Sequence, residues 1–190
     1  DVCSSDLRGI FIAALVALTV QSAVLSAPAA AAGTPAVVRS TQQGLQQWSI
    51  DGGKLMLVNG SYQDTTTYKR SLTFYFREAG NDAWNHVPII ETEVDRPLTW
   101  FSESQGETTQ ADALVWQKAD GVYLVTAAVT STPNEFRVLV YKFVEAGDDF
   151  PDGPGHLFKR VAEKKCPAHK CASVEDALKW AISGEQSVRK

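Results

Sequence analysis

Period-two alternation dominates the hydrophobic pattern of this chain. In KRSLTFYFRE (69–78), Leu72, Phe74 and Phe76 fall on one side and Ser71, Thr73, Tyr75 and Arg77 on the other. That is the pattern of a strand with one buried face. Shorter strand-like runs at 46–50 and 54–58 flank the turn signal DGG, and Asn59-Gly60 follows as a second turn signal. Both dipeptides accept the positive φ that tight hairpins need. The turn reading is preferred to a glycosylated sequon at Asn59-Gly60-Ser61. YQDTTTY (62–68) is polar enough for an exposed crossing. Residues 36–39 suggest a loose first strand, 84–90 a strand that Pro88 confines to an edge or bulge, and 97–101 a short strand. SESQGETTQ (102–110) has little to bury and is expected to be a mobile loop.

The centre of the chain reads differently. Runs at 113–117 and 122–129 flank the turn KADG, and 135–144 follows TSTPN. Leu124, Val125, Ala127 and Ala128, and then Val138, Leu139 and Val140, are apolar on both faces. Such runs mark strands covered from both sides. A brief strand is expected at 156–161. Near the end, Ser173 with Asp176 three residues on gives a capping-box-like start. Val174, Leu178, Ala181 and Ile182 recur at helical spacing beside Ala177, and Gly184 is positioned to end the helix. About eight or nine strands and one helix result. The fold class is therefore mainly β, an antiparallel sheet or sandwich with one C-terminal α-helix.

The N-terminal end divides into two unlike pieces. DVCSSDL (1–7) reads as a translated sequencing adapter, an artefact that sets Cys3 aside. Residues 8–32 carry Arg8, the apolar run Ile10 to Val20 and small residues around Ala27 to Gly33. Those are the parts of a secretory signal peptide cleaved near Ala32. The apolar run is short of the length of about 20 residues that spans a bilayer. The remainder, 33–190, suits a single β-rich domain in the periplasm or outside the cell. The formal net charge of the whole chain is −4. With basic and acidic residues interleaved, nucleic acid is not an expected partner.

Catalytic signals are poor. There is no G-x-S-x-G, and the one S-x-x-K string, Ser187 to Lys190, is the chain end. It has neither S-D-N nor K-T-G beside it. His86, His156 and His169 fall into no paired metal motif. The loop carboxylates Glu91 and Glu93, and Asp148, Asp149 and Asp152, read as solvated, with weak calcium binding at the second group as the alternative. No metal or cofactor is expected, and the chain is read as no enzyme. CPAHKC (166–171) holds the two remaining cysteines. Four intervening residues do not match a thioredoxin-type pair, and only His169 is close enough to join a zinc site. An oxidising compartment favours a structural Cys166–Cys171 disulfide, with metal binding and free thiols as alternatives. Most of the five tryptophans belong in a core. Trp100, beside the polar 102–110 stretch, is the leading ligand-facing candidate, with Trp84 and His86 behind it.

TFYFREAGNDAWNHVPII (73–90) resembles the periplasmic carbapenem intrinsic-resistance proteins of the CarG type. Phe74-Tyr75 stands for their aromatic pair, and Trp84-Asn85-His86-Val87-Pro88 for their W-N-x-V-P. ADALV (111–115) is similar to their A-D-C-L strand, LVTAA (124–128) to an L-I-V-A run, and CASVEDAL (171–178) to their C-D-V-N-x-A-F ending. The four blocks share the family's order. Ala113 stands where the family has a cysteine, so by this resemblance Cys166 becomes a local partner for Cys171. The acidic strand start of the family is reduced here to DGGKLMLV (51–58). The resemblance implies a secreted β-rich protein that protects its producer from a β-lactam without hydrolysing it. Its partner would be a β-lactam or a periplasmic protein, with a homodimer also allowed. The alternative is a structural or envelope-associated interaction module.

Overall fold

A computed structural model describes residues 36–41, 43–91, 97–133, 135–147, 154–167 and 169–186. The adapter and signal-peptide readings, Glu93, the aspartates at 148, 149 and 152, and the 187–190 string all lie outside the described residues. The elements are β1 (Val37–Ser40), β2 (Gly44–Ile50), β3 (Gly53–Gln63), β4 (Thr67–Glu78), β5 (Asn85–Val87), β6 (Ile89–Ile90), β7 (Thr99–Gln105), β8 (Thr108–Lys118), β9 (Gly121–Val129), β10 (Phe136–Glu145), β11 (His156–Cys166) and α1 (Val174–Gln186). The mainly-β class with one C-terminal helix is the one the alternation predicts.

One mixed sheet runs in the order β2-β3-β4-β7-β8-β9-β10-β11-β6, with β1 paired to β8 and β5 to β4. Every pairing is antiparallel except β11 with β6, which is parallel. Pro88 interrupts the 85–90 stretch, so β5 pairs with β4 and β6 with β11. The sheet folds back on itself, so that β4 in one leaf faces β10 and β11 in the other. Phe74 on β4 meets Phe158 on β11 edge to face at 4.9 Å, and Phe76 lies 5.2 Å from Phe143 on β10. Between the leaves lies an inner core that includes Leu55, Leu57, Leu72, Phe74, Phe76, Leu124, Tyr141 and Phe158. On the other side of β8 to β11, a second core packs Leu114, Trp116, Val125, Val138 and Val140 against Val174, Ala177, Leu178 and Ala181 of α1. The middle parts of β8, β9 and β10 are buried on both faces, as their continuous apolar runs predict.

Three local expectations are corrected. Asn59-Gly60 is no turn: it sits inside β3, opposite Leu72 and Ser71. Asn59 continues the inward stripe of Leu55 and Leu57, and its buried amide donates to the Thr41 carbonyl at 2.8 Å. That interior bond outweighs the turn preference of the dipeptide. The 102–110 stretch is no loose loop but a hairpin joining β7 to β8, with Gln105 opposite Thr108. Gly106, at φ 58°, supplies the left-handed residue the turn requires. α1 runs through Gly184 to Gln186, since glycine weakens a helix without ending it. Its start is as predicted, with the Asp176 N–H donating to Ser173 Oγ at 3.1 Å.

Cys166, the last residue of β11, is joined to Cys171 by a disulfide. Both are buried in the core beneath α1. Replacing both by alanine is expected to cost about 2 kcal/mol by loop entropy. The loss is read as a fall in urea midpoint at unchanged m-value.

Candidate functional site

Two polar positions, one buried and one half-buried, break the apolar stripes of the inner core at the same end. Arg70 has the inward parity of Leu72, Phe74 and Phe76, and Asn59 that of Leu55 and Leu57. A burial this costly needs partners. Arg70 has three: Nε donates to Ser102 Oγ at 3.0 Å, Nη1 to the Thr41 carbonyl at 2.7 Å and Nη2 to Asp112 Oδ1 at 2.5 Å. The sheet explains why they meet. Along one edge of β8, pairing with β7 reaches Ala111, opposite Glu103, and pairing with β1 takes over at Leu114, opposite Ser40, the last residue of β1. Asp112 and Ala113 lie at that gap. There the Ala113 N–H donates to Asp112 Oδ1 at 2.8 Å, and its carbonyl accepts from Thr41 Oγ1 at 3.0 Å. Arg70 thus closes a hole in the ladder and ties together β4, β7, β8 and the end of β1.

Asp112 is held above the ordinary carboxylate range. Burial is the largest cause; the Ala113 N–H and then Arg70 pull the other way, and Glu175 on α1 pushes it further up. Asp112 and Glu175 together face two cavities. One, of about 310 Å³, lies between β1 and α1 and is walled by Val38, Leu114, Leu178 and Ile182 with Thr41, Arg70 and Lys179. The other, of about 580 Å³, lies toward the start of α1 and adds Glu107, Thr109, Gln110, Phe136 and Ser173. An apolar wall with a few convergent polar groups is the usual make-up of a small-molecule site.

The residues expected to face a ligand lie elsewhere. Trp100, on β7 opposite Leu72, packs against the inner core. Trp84 sits under Arg77, whose Cζ is 5.2 Å from the ring centroid. His86 is exposed, its ring 4.3 Å from that of Tyr75. None of the three lines either cavity. Arg70 and Asp112 went unmarked in the sequence reading, although a charged residue in phase with an apolar stripe is a visible signal. Among the described residues no group of three His, Cys, Asp or Glu is placed to hold a metal ion, and no helix is long and apolar enough to cross a membrane.

No protein-family model matches the chain, and no curated protein matches it. Among solved structures the chain is similar to the crystal structure of CarG, with a TM-score of 0.57 and 20% identity. The match covers 68% of this chain and 86% of that one. At this identity the likeness is one of fold.

Proposed function

We propose that the protein is an exported binding protein of the carbapenem intrinsic-resistance type, acting by holding a ligand and not by hydrolysis. The observation that carries this reading is the cleft at Asp112 and Glu175 on a CarG-like fold. The four sequence blocks in family order and the absence of any hydrolase motif in the sequence support it. The protective version has a direct test. The protein is expressed in the periplasm of a carbapenem-sensitive host, and susceptibility is measured beside β-lactam turnover by the purified chain. Reduced susceptibility with no turnover is the expected result. Unchanged susceptibility together with no thermal shift by β-lactams overturns the antibiotic reading.

A second reading, an interaction module, is favoured by the bare outer face of β2, β3, β4 and β7. Leu45 and Val58 pair there across the β2–β3 ladder, and Phe101 stands exposed on β7. If that face is an interface between copies, light scattering finds a dimer, and Leu45→Lys with Phe101→Lys returns it to monomer.

A further inference from the structure

The cavity between β1 and α1 is chemically two-ended. Val38, Leu178 and Ile182 make one end apolar, while Asp112 and Glu175 form the other and open onto the larger cavity, where Glu107 is a third carboxylate. The two cations nearby are already engaged. Arg70 is turned toward the sheet by its bonds to Ser102 and Thr41 as well as to Asp112. Lys179 Nζ lies 2.8 Å from Glu175 Oε1, an exposed helical pair of small energetic worth that yields easily to a competitor. The joined cavities are lined by three carboxylates, Glu107, Asp112 and Glu175, and by two cations, Arg70 and Lys179. The carboxylate end of the cleft is therefore short of positive charge.

We infer that this cleft binds small amphipathic amines, with the ammonium between Asp112 and Glu175 and the apolar body against Val38, Leu178 and Ile182. The inference rests on reading the cleft as a binding site, and it gives that site a ligand other than the antibiotic itself, since a carbapenem carries a carboxylate. An ammonium offers donors to both carboxylates in charge-assisted bonds and offsets the charge that burial penalises. An anionic amphiphile of the same shape meets the same carboxylates as repulsion. The volume of about 310 Å³ admits a ligand at the small end of the usual range.

The test uses the full chain with octylammonium and octanoate as paired probes, followed by amide chemical shifts across β1, β8 and α1. Octylammonium is expected to give saturable shifts at Leu114, Glu175 and Leu178, with octanoate at least about tenfold weaker, the worth of one charge-assisted bond. Glu175→Gln, on the exposed start of α1, is expected to weaken octylammonium by about tenfold. Val38→Trp, which fills the apolar end from an exposed strand, is expected to abolish saturation. Equal binding of the two probes, or an unchanged affinity in Glu175→Gln, overturns the amine selectivity while leaving the cleft as a site. No saturable shift at the cleft with either probe overturns both.

Discussion

Phe158→Ala is expected to remove about 4 kcal/mol of folding stability, the cost of truncating a fully buried aromatic. Phe158 has no exposed surface and belongs to the inner core between the leaves. Its ring meets Phe74 at 4.9 Å and Phe143 at 5.7 Å, and its N–H donates to the Pro88 carbonyl at 2.9 Å. The backbone bond survives the substitution; the ring contacts between leaves do not. The measurement is the urea midpoint, with Val161→Ala as a control. Val161 is on the same strand but 52% exposed, and its truncation is expected to stay within about 0.5 kcal/mol. Equal losses at the two positions would mean that the leaves are not held by this aromatic contact.

The same contact shows why some of the fold was legible and some was not. Leu72, Phe74 and Phe76 announce an inward face because a buried strand face repeats every second residue. The doubly apolar runs in β9 and β10 announce cover on both sides, which α1 supplies. What a linear pattern does not carry is which leaf meets which. Phe74 and Phe158 sit on strands that share no ladder, β4 and β11, and the 85–90 stretch pairs with both. The turn expected at Asn59-Gly60 and not found has the same origin: its local preference is overridden by Thr41, a partner 18 positions away. The site suffered most. Its groups come from β1, β4, β7, β8 and α1, and its strongest bond, Arg70 to Asp112, spans 42 positions. The parity of Arg70 with the apolar stripe was the one available signal. Trp100 drew attention through its neighbour, a polar stretch whose residues turned out to pair with each other as a hairpin.

Arg70→Met is expected to cost about 3 kcal/mol, because removing one partner of a largely buried pair leaves the other charge uncompensated. The side chains of Arg70 and Asp112 are only 20% and 30% exposed, so solvent screens the pair little. Three acceptors each lose a donor at once: Ser102 Oγ, the Thr41 carbonyl, which keeps Asn59, and Asp112 Oδ1, which keeps the Ala113 N–H. Adding Asp112→Leu to Arg70→Met is expected to restore part of the loss, since both charges are then gone. Asp112→Asn alone should be milder, and its pH dependence separates the two residues. The folded-state pKa of Asp112 is raised, so the folded chain holds this proton more tightly than the unfolded one. The associated stability is fully present below the ordinary carboxylate value and is lost as pH rises through the raised one. The stability difference between the parent and Asp112→Asn is therefore expected to shift against the parent as pH rises through that window. A difference that shifts in favour of the parent with rising pH would show that Arg70 outweighs burial at this carboxylate. The cleft would then present no unmet negative charge to a cationic ligand. Denaturant titrations at several pH values on the parent, Asp112→Asn and the Arg70→Met pair read both results from one set of curves.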